Sequence, residues 1–241
     1  MKINLTSARL YIISLLLLSF LSGIFACSKK MNTIMSSPVV PGTKTYLALG
    51  DSYTIGESVD TSQRFPALTV DLLKSYGIPI SNPDYIATTG WTTADLLNAI
   101  NSAQLRTDYS VVTLLIGVNN QYQGKSIDEY KSQFTQLLQD AIKFAGNDKN
   151  RVFVLSIPDY SVTPFARGSD TASIAYQIDQ FNAANLTISN NFGVHYLDIT
   201  TISRQAKMNL DLVAHDGLHP SGAQYQMWAN LLAPMIKTVL Q

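Results

Sequence analysis

The sequence predicts a three-layer α/β/α sandwich on a central parallel five-stranded sheet. Five short apolar runs rich in branched and aromatic residues recur along the chain, and segments of helical period separate them. Strands that alternate with helices must return by crossovers, and right-handed crossovers cover both faces of a parallel sheet.

The first strand is expected at Thr45 to Leu49, followed by a helix from Phe65 to Tyr76. Tyr85 to Thr88 precedes a helix over Thr93 to Asn101, and Val111 to Gly117 precedes the longer Ile127 to Phe144. Val152 to Ile157 leads to Ile174 to Asn190, and Val194 to Ile199 leads to a final helix from Gly222 to Leu240. Each run has strand length, and its nearly unbroken hydrophobicity fits burial on both faces. Ligands of such sheets bind beyond the C-terminal strand ends. The chain shows no internal repeat and no low-complexity tract.

With 241 residues, 46% hydrophobic and 14% charged, the chain can bury a full core as one domain. Lys+Arg and Asp+Glu number 17 each, so no basic field draws in nucleic acid or an anionic membrane. No nucleic-acid partner is expected.

Residues 1–26 carry Lys2 and Arg9, an apolar stretch from Leu10 to Phe20, and small residues ahead of Cys27, the pattern of an export signal. Its removal takes two of the 17 basic residues and none of the acidic ones, leaving a net charge of −2. Cys27 is the only cysteine, so no disulfide can form within the chain. Leu21 to Cys27 resembles a bacterial lipobox, in which the cysteine is acylated and becomes the new N-terminus; Phe25 stands where that pattern has a small residue.

The expected organisation is a lipoprotein-type signal peptide over 1–26, a flexible tether over 27–43 containing Ser36, Ser37, Pro38, Pro41 and Gly42, and a folded domain over 44–241. A lipid anchor on Cys27 would place the protein at a bacterial cell envelope. The alternative is an ordinary cleaved signal and a soluble secreted or periplasmic protein. A retained spanning helix fits less well, because the apolar core falls short of the ~20 residues that cross a bilayer.

Gly50-Asp51-Ser52-Tyr53-Thr54 follows the first strand directly, which puts a serine where a buried strand turns into a loop. A serine hydroxyl attacks only when a base takes its proton. Of three histidines, His195 sits inside an expected strand and suits a structural role, and His215 reads as a rim residue. His219 has Asp216 three residues before it, in a turn opened by Gly217 and closed by Pro220. That spacing lets the carboxylate fix the imidazole tautomer and steady the imidazolium.

Acyl transfer also needs donors aimed at the oxyanion, each worth about 2.7–4 kcal/mol of transition-state stabilisation. Backbone N–H groups of Ser52 and Gly90 and the side-chain amide of Asn119 are the candidates. Singly, Gly90 reads as a turn glycine, Asn119-Asn120 as a strand-end cap and Asp51 as a turn stabiliser. Tyr160 and Phe165, in the segment after the fourth strand, are candidates for one pocket wall.

Taken together, these blocks resemble the SGNH hydrolase superfamily of GDSL-type esterases and lipases. Gly50 to Thr54 matches its first block with Ser52 as nucleophile; Gly90 matches the second; Gly117-Val118-Asn119-Asn120 matches the third; Asp216 and His219 match the last. Asn120 stands where the family has aspartate. The resemblance implies a flavodoxin-like sheet order, a Ser52-His219-Asp216 triad, an oxyanion hole of Ser52, Gly90 and Asn119, and no metal or cofactor. It also implies ester hydrolysis through an acyl-enzyme, on a small-molecule ester or an acylated glycan or lipid. Carbohydrate O-acetylesterase and acyltransferase activities use the same residues, and a lipid-anchored binding protein without catalysis is the remaining alternative. No Gly-x-Ser-x-Gly elbow surrounds Ser52, which separates the chain from the α/β-hydrolases.

Overall fold

The computed structural model describes residues 42–241. The export segment, Cys27 and most of the tether fall outside the described residues. Five parallel strands form the sheet: β1 (Tyr46–Gly50), β2 (Asp84–Ala87), β3 (Val111–Leu115), β4 (Val152–Leu155) and β5 (His195–Leu197), in the order β2-β1-β3-β4-β5. β1 has partners on both edges, with Leu49 opposite Ile86 on one side and Leu114 on the other. Every residue of β1, β3 and β4 is buried, as expected for strands covered on both faces.

The helices are α1 (Ser52–Ile55), α2 (Phe65–Ser75), α3 (Thr93–Ser102), α4 (Val118–Tyr122), α5 (Ile127–Phe144), α6 (Thr171–Phe192), α7 (Thr200–Ser203) and α8 (Gly222–Leu240). The step from β1 to β2 runs across the sheet in one direction, and the steps that lead through β3 and β4 to β5 run in the other. Right-handed crossovers then put α2 on one face and α3, α5 and α6 on the opposite face. The packing agrees: α2 lies against α8, while α5 touches both α3 and α6.

Local chemistry sets where the helices begin. Ser126 caps α5, Asp170 caps α6 and Ser221 caps α8, each accepting from a backbone N–H of the first turn. Thr92 and Asp95 form a capping box at the start of α3. α6 stops at Gly193, whose φ of 69° is left-handed.

Between α2 and α8, Phe65 packs on Tyr225 and Trp228, and the last two meet edge to face with ring centroids 5.0 Å apart. Trp228 is fully buried. Truncating a side chain of that size to alanine costs about 3–5 kcal/mol, so this cluster is a main anchor of α8. The consequence for function is positional, because α8 begins three residues after His219 and fixes the end of the loop that carries it.

Candidate active site

The direction of crossover reverses between β1 and β3, which opens a crevice at their C-terminal ends. Ser52 follows β1 and is the first residue of α1. Gly50 permits the approach of the two strands there: a Cβ on it would fall 2.4 Å from the Leu115 carbonyl oxygen and 2.1 Å from Thr54 Oγ1. Asp51 caps α1, its Oδ1 accepting from the Tyr53 N–H at 3.0 Å. Burial pushes the Asp51 carboxyl up to about 7, against backbone hydrogen bonds that pull it down.

Asn119 is carried on α4, which Gly117 precedes as its N-terminal cap. The strand expected to reach Gly117 ends at Leu115, because Gly117 adopts φ 133° and leaves the sheet. Side chains are also shut out at Gly117, where a Cβ would lie 2.6 Å from the Tyr130 ring and 2.7 Å from Ile157 Cδ1. Asn119 Nδ2 donates to the Trp91 carbonyl at 2.9 Å. An amide nitrogen has two N–H groups, so one stays available for a bound oxygen. Gly90, at φ 82°, lies in the loop that Trp91 continues.

Asn120 does not face the crevice. Fully buried, it accepts from the Thr93 N–H at 3.0 Å and donates to the Thr93 hydroxyl at 2.7 Å, which ties α4 to the start of α3. The Asn119 and Asn120 amides therefore brace the Gly90 loop from two sides.

His219 is buried on the loop between α7 and α8, and its Nδ1 lies 2.6 Å from Asp216 Oδ2. The edge of Tyr53 meets the ring with centroids 5.4 Å apart. Asp216 Oδ1 accepts from the N–H groups of Leu218 and His219 at 2.9 and 3.0 Å, and Oδ2 accepts from the Ser58 hydroxyl at 2.7 Å. Partial burial works to raise the Asp216 carboxyl. The hydrogen bonds from His219, Leu218 and Ser58 outweigh it and hold the group well below the ordinary carboxylate range.

Ser52, Gly90, Asn119 and His219 all line one cleft of about 150 Å³. Asp216 is not among the residues lining the cleft and meets the Nδ1 side of the His219 ring. Among the described residues the His219 ring has one hydrogen bond, to Asp216, and none joins it to the Ser52 hydroxyl. The two side chains nevertheless share the cleft wall.

Tyr160 and Phe165 do form part of the cleft wall, joined by Tyr122, which lies 6.2 and 6.0 Å from them between ring centroids. His195 instead stacks on Phe153 within the sheet at 4.7 Å, and His215 is exposed. Ser58, Trp91 and Tyr122 had no motif to mark them. Ser58 stands out only through its backbone, a non-glycine residue at φ 66°.

Several solved structures share this fold. A structure titled TesA is 19% identical, with a TM-score of 0.63, covering 81% of this chain and 99% of that one. Axe2, an acetylxylan esterase from Geobacillus stearothermophilus, is 18% identical with a TM-score of 0.64, over 81% and 95% of the two chains. A lipase/acylhydrolase from Enterococcus faecalis is 17% identical with a TM-score of 0.63, over 81% and 96%. No curated protein sequence matches the chain significantly. Residues 48–227, a span that takes in every block from Ser52 to His219, match the GDSL-like lipase/acylhydrolase family. The chain belongs to that family and is an ester hydrolase.

Proposed function

We propose that the protein is a serine esterase that hydrolyses short-chain carboxylic esters through an acyl-enzyme on Ser52. The observation that carries this is the Asp216–His219 pair, placed with its ring in the wall of the cleft that Ser52 also lines. Asp216 keeps the proton on Nδ1, so that Nε2 is the basic nitrogen. His219 takes the Ser52 proton as Oγ attacks the ester carbonyl. The bond to the alcohol then breaks, and His219 returns the proton to the departing oxygen. Water repeats the sequence and frees the acid. The Ser52 and Gly90 N–H groups and the spare Asn119 N–H receive the oxyanion.

The size of the cleft supports a small acyl group. A cavity of about 150 Å³ holds a guest the size of benzene, while drug-sized ligands occupy about 300–1,000 Å³. Acyl groups of roughly six carbons or fewer fit that space. The test is fluorophosphonate labelling followed by a series of aryl esters of increasing chain length. Labelling should fall on Ser52, be lost in Ser52→Ala, and turnover should peak among the short esters. Undiminished hydrolysis by Ser52→Ala, or a preference for long chains, refutes the reading.

A second reading, O-deacetylation of a carbohydrate, has support from the aromatic rim. Tyr122 and Phe165 are exposed beside the cleft and offer flat faces to a sugar ring. The Geobacillus protein of the same fold is titled an acetylxylan esterase. Acetate release from acetylated xylooligosaccharides, compared with aryl acetates, separates the two.

The sequence of residues 21–27 supports a lipid anchor on Cys27 and a place at a bacterial cell envelope. Cys27→Ala should move the protein out of the membrane fraction, and an unchanged distribution would remove the anchor from the proposal.

A further inference from the structure

Four donors fix the Asp216 carboxylate, and three of them belong to its own loop: the N–H groups of Leu218 and His219 and the His219 ring. The fourth, the Ser58 hydroxyl, comes from the segment that begins with the nucleophile. It donates to Oδ2, the same oxygen that meets the imidazole. Ser58 is therefore the hydrogen bond that ties the carboxylate orienting the base to the stretch of chain that carries Ser52. Its neighbour Glu57 accepts from the Thr89 hydroxyl, next to Gly90. The Glu57-Ser58 pair thus reaches from the nucleophile segment to two other parts of the site, the Gly90 loop and the Asp216–His219 loop.

The backbone at Ser58 makes the hydroxyl informative. Ser58 adopts φ 66°, a left-handed conformation that glycine takes freely and a serine takes at a cost. Local conformation alone favours glycine at this position. What serine supplies and glycine lacks is the hydroxyl on Asp216.

We propose that Ser58 is a positioning residue of the reaction: by holding Asp216 to the Ser52 segment, it sets the direction in which His219 Nε2 faces the nucleophile. The proposal rests on the Ser52-His219-Asp216 reading above.

Ser58→Gly and Ser58→Ala separate this role from a purely structural one, measured with a short aryl ester beside wild type and Ser52→Ala. Glycine relieves the backbone and so offsets part of the lost hydrogen bond, and Ser58→Gly should unfold within a few degrees of wild type. Its kcat should nevertheless fall about tenfold, the effect of losing one hydrogen bond to a charged group, with KM within about twofold. Fluorophosphonate labelling of Ser52 should slow by a similar factor. Ser58→Ala should show the same fall in kcat with a lower unfolding temperature than Ser58→Gly. Wild-type kcat in Ser58→Gly, with Ser52→Ala inactive, overturns the role of Ser58 and leaves the triad standing. A fall in kcat matched by a loss of folded protein assigns Ser58 to the fold instead. Full activity in Ser52→Ala overturns the triad, and the proposal with it.

Discussion

Asn120 and Thr93 exchange two hydrogen bonds beside the site, one from the Thr93 backbone N–H to the Asn120 amide oxygen and one from the Asn120 amide nitrogen to the Thr93 hydroxyl. The Thr93 hydroxyl, engaged as acceptor, donates onward to Gln133 Oε1, and Gln133 Nε2 donates to Glu129. From the Asn120 amide nitrogen onward, every side-chain donor points the same way. An aspartate at position 120, the residue typical of the family, can only accept when ionised, so the Thr93 hydroxyl would have to turn back and leave Gln133.

Asn120→Asp should therefore destabilise the protein by about 1–3 kcal/mol at neutral pH while leaving turnover of short esters largely intact. The side chain is fully buried, so ionising it is unfavourable and the loss should grow as pH rises. Urea denaturation at several pH values, beside steady-state kinetics, checks both halves. Equal stability at all pH values would show that the relay does not matter.

Asp51 predicts a pH dependence of the folded state. Its carboxyl is raised to about 7, so between its ordinary value of 3.8 and that point the unfolded chain ionises while the folded one holds its proton. Stability from this group is thus unaffected below 3.8 and declines as pH climbs, by up to about 4 kcal/mol once pH passes 7. Asp51→Asn keeps an oxygen for the Tyr53 N–H but cannot ionise. It should flatten the decline and be more stable than wild type at pH ~8 by about 2 kcal/mol. Chemical denaturation across that range decides it. Asp216 contributes with the opposite sign, because its lowered carboxyl stabilises the fold above its ordinary value and loses that contribution as the solution turns acid.

Gly117→Ala should abolish activity. The new methyl group would collide with Tyr130 and Ile157 in a backbone conformation that alanine rarely takes. Moving α4 to relieve the clash displaces Asn119, and the strain is expected to cost about 3 kcal/mol of stability. A thermal scan together with an ester assay reads both, and a fully active variant would contradict the assigned geometry.

Phe165 is about half exposed at the rim, so Phe165→Ala should cost under about 1 kcal/mol of stability. Opening the wall should shift the preferred acyl chain to longer members of an ester series. An unchanged chain-length profile would take Phe165 out of the acyl pocket.

Much of this arrangement was legible beforehand, and what escaped did so for physical reasons. The helix expected over Ile127 to Phe144 forms with those bounds, since a strong apolar stripe and a serine cap act together there. α1 and α4, with four and five residues, are too short to show a period, yet they carry Ser52 and Asn119. The strand at Val194 to Ile199 shrinks to His195–Leu197 at the sheet edge, where only β4 pairs with it. Ser52, Gly90, Asn119, Asp216 and His219 could be singled out because each sits in a short motif, and four of them line one cleft. Ser58, the Trp91 carbonyl and the Asn120–Thr93 exchange are bonds between distant segments, which composition and local spacing do not record.

The packing of α8 on α2 also dictates when the enzyme can first work. A ribosome delivers Ser52 early and His219 late, and the loop bearing the histidine gains its fixed end only after Trp228 has docked against Phe65. On the triad proposed above, a growing polypeptide carries Ser52 without its base through most of its synthesis. If His219 is the base of that triad, reactivity arrives in a single late event, and a nascent chain interrupted before that helix is made has no hydrolytic activity.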